Sequence, residues 1–311
     1  MGRRHPGPGG DPGHPGPGPL GGPQRARPEK GLRHLQVLNQ GGRLGEEKKV
    51  LEKLEGKVLR ITLNRPFIRN ALDSDLMVQT LEILRAHRDD PEVRVVLFTG
   101  AGTAFCAGAD LNWMRKALTL SYEETVRDSA LLADLFYTIY EYPKPTIALV
   151  NGPAIGGGVG FVATCDVVIT SEEAFFRLSE VRLGLIPAVI SYFLVRKVGE
   201  SRCRELMLTG RKLSAEESLE IGLSHRVVPH GALEQEAGGY IRRFLSAGPQ
   251  ALRWCKEVIE RVGTHPPEEI RDYTVDIIAK LRTGPEGQEG MSAFLEKRPP
   301  SWSPEAEGKP D

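Results

Sequence analysis

The stretch VNGPAIGGGVGFVATCDVVIT, Val150 to Thr170, sets three consecutive glycines between two apolar runs. The run that leads in, TIALVNG, and the run that leads out, DVVIT, are rich in β-branched residues and read as short buried strands. The segment between them reads as a short buried helix. Glycine is a poor helix former, so Gly156, Gly157 and Gly158 at its start need another explanation. Small residues at a strand-to-helix turn let a ligand approach the backbone closely and leave amide N–H groups without intrahelical partners. Those amides, at the positive end of the helix dipole, suit a developing negative charge.

By itself the glycine run is weakly specific, because close packing of a helix on a strand also demands glycine. A P-loop is excluded, since no GK[ST] follows, and GGGVG does not fit the GxGxxG dinucleotide register. A second turn of the same build sharpens the reading. VVLFTGAGTAFCAGAD, Val95 to Asp110, runs from an apolar strand through the Gly/Ala-rich CAGAD into a helix. Two such turns aimed at one point form an oxyanion hole, whose donors contribute about 3 to 4 kcal/mol each to transition-state stabilisation.

The flanking sequence predicts an α/β fold. KVLRITLN, Lys57 to Asn64, alternates as a strand, and ordered structure is expected to begin near Lys57. RPFIRNAL is a loop, after which Asp73 caps a helix with Leu76, Thr80, Leu81 and Leu84 at helical spacing. Another helix is predicted over Ser121 to Tyr140, and strands alternating with helices argue for crossover connections. Beyond Pro187 the chain turns mostly helical. The expected organisation is a tail over 1–45, a core over 46–250 and a helical C-terminal region over 251–311.

Composition narrows the function classes. The chain has 311 residues, with 41 basic against 41 acidic, so bulk charge gives no argument for a nucleic-acid or anionic-membrane partner. No apolar run approaches the roughly 20 residues of a bilayer span. Cys106, Cys165, Cys203 and Cys255 lack CxxC spacing and read as reduced thiols of a cytoplasmic or, in a eukaryote, mitochondrial-matrix protein. The seven histidines show no metal-ligand spacing, so no metal is expected. Seventeen of the first 30 residues are Gly or Pro, a composition that cannot offset its ordering entropy by burial.

FCAGADL, then NGPAIGGGVGFVATCDVVI about 45 residues on, then SEVRLGLIP, resembles the enoyl-CoA hydratase/isomerase (crotonase) superfamily, and LTGRKLSAEESLEIGLSHRVV and EGMSAFLEKRPPSW extend the match over roughly Lys57 to Trp302. The resemblance implies a superhelix of ββα units with a helical C-terminal region, assembled as a homotrimer or homohexamer. It implies an acyl-CoA thioester substrate whose carbonyl oxygen lies between the backbone N–H groups of Ala109 and Gly157. Coenzyme A is then part of the substrate, with no separate cofactor. Arg69 is the candidate diphosphate contact, and Cys106 and Ala107 offer backbone groups to the adenine. Phe294 and Lys297 lie in a tail that in the family covers the CoA site.

The resemblance also assigns the proton chemistry. Family hydratases use two glutamates, whose positions here are Gly160 and Glu180. One carboxylate is therefore missing, and Glu180 is the expected acid/base. The Ala188 backbone N–H is a candidate to orient water in place of the absent group. Trp113 narrows the acyl pocket, and Arg115 and Lys116 are candidate cations for a substrate with a second carboxylate. FCAGADLNWM, GGGVG and SEVRLGLIPAVIS resemble a bacterial subgroup of methylglutaconyl-CoA or isohexenylglutaconyl-CoA hydratases of leucine or acyclic-terpene breakdown. The former is the nearer resemblance, which implies hydration of a 2-enoyl-CoA. The alternatives are a Δ3–Δ2-enoyl-CoA isomerase, which needs only one glutamate, and a non-catalytic acyl-CoA or RNA binding member. Asp110 is expected to hold its turn rather than to react.

Overall fold

The computed structural model describes residues 1–2 and 48–307. The predicted Gly/Pro-rich tail lies outside the described residues, apart from its first two. From Lys48 on, the described residues form one compact unit. The expected boundary at 250/251 falls in the first turn of a helix, Pro249–Val262.

Structure begins earlier than Lys57. β1 (Val50–Glu55) pairs antiparallel with β2 (Val58–Leu63) across the two-residue turn Gly56-Lys57. Both turn residues have positive φ, 54° and 68°, as tight hairpins with the twist of β-strands require. The sequence concealed β1 because only Val50 is buried; VLEKLE is otherwise an exposed edge with no alternation of burial. Lys49 adds a tertiary anchor, with its ammonium 2.7 Å from Asp73 and 2.6 Å from Asp75.

After β2 come α1 (Ser74–Ala86), β3 (Val95–Gly100), α2 (Leu111–Ala117), α3 (Tyr122–Tyr140) and β4 (Thr146–Val150). Then follow β5 (Ala154–Ile155), α4 (Gly157–Thr164), β6 (Val167–Ser171), β7 (Phe175–Arg177) and α5 (Ala188–Val198). The remainder comprises α6 (Glu200–Thr209), β8 (Lys212–Ser214), α7 (Ala215–Glu220), β9 (Arg226–Val228), α8 (Leu233–Ser246), α9 (Pro249–Val262), α10 (Pro267–Thr283) and α11 (Pro285–Leu295). The predicted cap is present, Asp73 accepting from the Leu76 N–H, and Ser121 adds a capping box with Glu124 at the start of the predicted helix α3.

The main sheet has the order β1-β2-β3-β4-β6-β9, parallel from β2 onward. Its central strands are apolar on both faces, as strands covered by helices on either side must be. Phe98, Ala148, Val150 and Val168 face a core shared with α1, α3 and α4. Val95, Leu97, Ile147, Leu149 and Ile169 face Leu233 and Ala237 of α8. A smaller sheet, β5-β7-β8, carries the start of the glycine turn. Within the mostly helical region after Pro187, β8 and β9 are additions that the sequence reading did not include; β9 closes the main sheet.

The revised start of structure is testable by truncation. A chain beginning at residue 57 loses β1, its hairpin and the Lys49 ion pairs, and is expected to melt lower than a chain beginning at residue 46 by more than about 5 °C. Equal melting temperatures would show that β1 adds nothing to stability.

Candidate active site

The two glycine-bearing turns meet backbone to backbone. The first follows β3. A short parallel bridge, Cys106 with Ala154, sews it to β5, and a second, Leu72 with Ala109, sews it to the start of α1. Gly108 has φ 88°, and a Cβ there would lie 2.8 Å from the Ile155 carbonyl oxygen and 3.8 Å from the Gly156 α-carbon. Only glycine allows that approach. Gly156, with φ 51°, is the reciprocal partner and caps α4 without a side chain.

The bridges also fix where each amide points. Leu72 donates to the Gly108 carbonyl at 2.7 Å and accepts from the Asp110 N–H at 2.8 Å. The intervening Ala109 N–H therefore faces away from Leu72, and among the described residues it has no protein acceptor. Ala109 is exposed between buried Gly108 and buried Asp110. Gly157 opens α4, so its N–H precedes the first intrahelical acceptor. It is half-exposed, whereas Gly158 to Gly160 are buried.

Asp110 serves the turn, as expected. Its carboxylate accepts from Asn112 at 2.7 Å and Trp113 at 3.2 Å, capping α2. Burial opposes its charge, but those N–H bonds and the Arg65 guanidinium outweigh it and hold the carboxyl below its usual range. Arg65 lies 3.0 Å from Asp110 and 3.1 Å from Asp73, and donates to the Ala71 carbonyl at 2.6 Å. One guanidinium thus ties together the caps on either side of the Leu72–Ala109 bridge. Asn70 and Asn151 pin the rest of the loop, donating to the carbonyls of Ala104 at 2.8 Å and Gly102 at 2.9 Å. The sequence reading passed over all three; their signal was a long-range contact, which spacing does not reveal.

Glu180 reaches the same point from the small sheet. β7 runs parallel to β5, pairing Ile155 with Arg177, and the Gly156 N–H donates to the Arg177 carbonyl at 2.9 Å. Three residues later, in the 3-10 turn Glu180–Leu183, the chain folds back over the glycines. A Cβ on Gly156 would lie 3.1 Å from Glu180 Oε1, and Oε2 is buried without a hydrogen-bond partner among the described residues. Burial raises the pKa of this carboxyl, opposed only in part by its own N–H. Neither Arg177 nor Arg182 neutralises it: Arg177 donates to the Gly210 carbonyl at 2.9 Å, and no ion pair to Glu180 exists among the described residues.

The space at Gly160, where the resemblance implies the second glutamate of other hydratases, is filled rather than vacant. A Cβ on Gly160 would overlap the Phe136 ring of α3 and come within 2.7 Å of the Ile190 side chain of α5. Phe136 is fully buried and edge-on to Phe161. The Ala188 N–H does not take the expected role of orienting water, because it donates to the Ile186 carbonyl at 2.8 Å.

The remaining candidates are dispersed. Arg69 is exposed, with a left-handed φ of 54°, and its carbonyl accepts from the Ala107 N–H at 2.9 Å beside the first turn. Cys106 donates its N–H to Pro153 and accepts from Ile155, so Ala107 offers only its carbonyl as a backbone group without a protein partner among the described residues. The Cys106 thiol is buried and pushed up to about 12. Trp113 packs on the core and donates to Asp128 at 3.0 Å. Arg115 and Lys116 are exposed, Arg115 on Asn112. Phe294, 83% exposed at the end of α11, and Lys297 belong to the C-terminal helical region and not to the cluster around Gly108 and Gly156.

The enoyl-CoA hydratase/isomerase family profile matches residues 53–305. The chain belongs to that family. It is therefore an enzyme of the crotonase fold. A Thermus thermophilus protein provisionally named an enoyl-CoA hydratase is 39% identical over 80% of this chain and 98% of its own length. The 2,3-dehydroadipyl-CoA hydratase of Escherichia coli is 34% identical over 79% of this chain and 95% of its own. The crystal structure of an enoyl-CoA hydratase from Shewanella pealeana superposes with a TM-score of 0.79 at 36% identity, covering 82% of this chain and 96% of that one.

The environment of Glu180 makes a prediction about stability. A carboxyl whose folded pKa is raised destabilises the folded state as pH climbs through the window from its unfolded value, near 4.5, to its folded one. Glu180→Gln, which stays neutral, is therefore expected to unfold at higher denaturant than the unmutated protein at pH 7, with the gap closing towards pH 4. A variant less stable at pH 7 would contradict the unpaired, desolvated carboxyl.

Proposed function

We propose that this enzyme adds water to, or removes it from, a 2-enoyl-CoA thioester, with Glu180 as its one acid/base and the Ala109 and Gly157 N–H groups as the oxyanion hole. The observation that carries the reading is the convergence of a desolvated, unpaired carboxylate with two partnerless amides at one glycine contact. In the hydration direction the Glu180 carboxylate takes a proton from water as the hydroxyl oxygen bonds to C3. The electron pair of the double bond moves towards the thioester oxygen, and the two amides receive the enolate charge. The protonated Glu180 then delivers its proton to C2. One carboxyl can serve both steps because its raised pKa brings it closer to the pH at which it must give and take.

We assign the acyl group to the 3-methylglutaconyl type, a branched 2-enoyl thioester with a second carboxylate. Its support is the run FCAGADLNWM with GGGVG and SEVRLGLIPAVIS, and the cations Arg115 and Lys116 that follow Trp113 on α2. Arg69, the Ala107 carbonyl, Phe294 and Lys297 are proposed to hold the coenzyme A portion. Exposed Leu185, Ile186, Leu208 and Ile278 suit burial in a homotrimer or homohexamer. The four free cysteines suit a reducing compartment, the cytoplasm or a mitochondrial matrix.

A second reading, isomerisation of a 3-enoyl to a 2-enoyl thioester, draws on one observation. Phe136 and Ile190 occupy the space at Gly160, so no second carboxylate orients water. Both readings require Glu180. Replacing it with Gln is expected to lower kcat at least about a hundredfold while leaving acyl-CoA affinity nearly unchanged; turnover like that of the unmutated enzyme would remove Glu180 from the chemistry.

A further inference from the structure

The helix that presents the Gly157 N–H is poorly supported by its own sequence. α4 spans eight residues, three of them glycine, and its N-cap Gly156 supplies no side-chain bond. Its C-terminus ends in an extended residue, Cys165, without the left-handed glycine that commonly closes a helix. The last carbonyls are met instead from α5. The Lys197 ammonium donates to the carbonyls of Cys165 at 2.6 Å and Val162 at 3.0 Å, with a longer 3.5 Å contact to Ala163. Seven residues earlier on the same helix, Ile190 sits against Gly160. α5 therefore grips α4 at two points, one apolar and one ionic.

We infer that Lys197 is a positioning residue for the oxyanion hole, anchoring the C-terminal end of α4 and setting a positive charge there so that the Gly157 N–H at the other end stays aligned with that of Ala109. The inference rests on the hydratase/isomerase reading of the site. Lys197 touches neither turn, so it acts through the helix. A cation at a helix C-terminus is favourable both as donor to the orphan carbonyls and against the dipole. The electrostatic setting is specific. Asp166 is the facing carboxylate, and it is bound by Lys256 at 2.6 Å and by the Thr146 N–H at 2.8 Å. The Cys165 thiol and the His225 ring also face the ammonium; His225 accepts from the Val168 N–H at 3.0 Å, and burial followed by Lys197 lowers its pKa. Burial of the ammonium itself, aided by Lys256 and opposed by Cys165 and Asp166, pushes Lys197 down to about 8. Its charge is present at neutral pH and lost above that value.

The test compares Lys197→Met and Lys197→Arg with the unmutated enzyme, using acetoacetyl-CoA, which can bind as an absorbing enolate, and butyryl-CoA, which cannot enolise readily. Lys197→Met is expected to weaken enolate binding and lower kcat by about tenfold each, with butyryl-CoA affinity and KM within about twofold; Lys197→Arg recovers most of the loss. A folded Lys197→Met that binds the enolate normally, or that loses both ligands in parallel, overturns the inference. If the unmutated enzyme does not bind acetoacetyl-CoA as an enolate, the reading of the site fails first, and the inference with it. Should Lys197→Met not fold, Lys197→Gln, which keeps a donor for the α4 carbonyls without the charge, takes its place with the same selective loss of enolate binding expected. A folded Lys197→Gln that binds the enolate normally overturns the role of the charge.

Discussion

Everything about this site follows from one close approach, the contact of Gly108 and Gly156. Two strand-to-helix turns from different parts of the chain touch there without a Cβ between them. Parallel bridges on either side, Leu72 with Ala109 and Cys106 with Ala154, fix the rotation of the peptide planes. The free amides are what remain after those bridges have taken their share of the backbone. On the proposed reading the oxyanion hole is thus a by-product of strand pairing, and its accuracy depends on groups outside the two turns. Arg65, between Asp73 and Asp110, is the clearest of them.

The same contact explains why the Glu180 carboxyl is desolvated and unpaired among the described residues, the property that its proposed role draws on. β5 and β7 pair in parallel for two residues only, yet that is enough to return the chain over Gly156. The carboxylate arrives in a space where Oε2 has no partner among the described residues. A surface carboxylate would be hydrated, and one paired with arginine would be held ionised. An unpaired, half-buried carboxyl is held nearer the point of proton exchange, at a cost to the fold. Gly160 shows the opposite solution. The side chains of Phe136 and Ile190 close the space beside it, so no side chain could stand there without their moving, and the proposed proton work falls to one residue.

The turns and their glycines were legible in the sequence because positive φ and close approach leave a compositional trace. The family resemblance carried further, to Ala109, Gly157 and Glu180, which the fold brings to one place. The cap Asp73 was legible because capping is local. β1 was not, since an exposed edge strand carries charge where a buried one carries alternation. The Ala188 amide was assigned a task that its bond to Ile186 forecloses. Arg65, Asn70, Asn151 and Lys197 were silent because their partners are backbone carbonyls and carboxylates brought near by tertiary structure, which no spacing rule encodes.

The central claim is that a single glutamate over this glycine contact supports addition of water. The most direct test follows the absorbance of the conjugated enoyl thioester, offering 3-methylglutaconyl-CoA and a 3-enoyl-CoA separately. The account predicts falling absorbance on the conjugated substrate and a product heavier by one water. No change on that substrate, with rising absorbance on the unconjugated one, would contradict it and show that the enzyme moves a double bond instead.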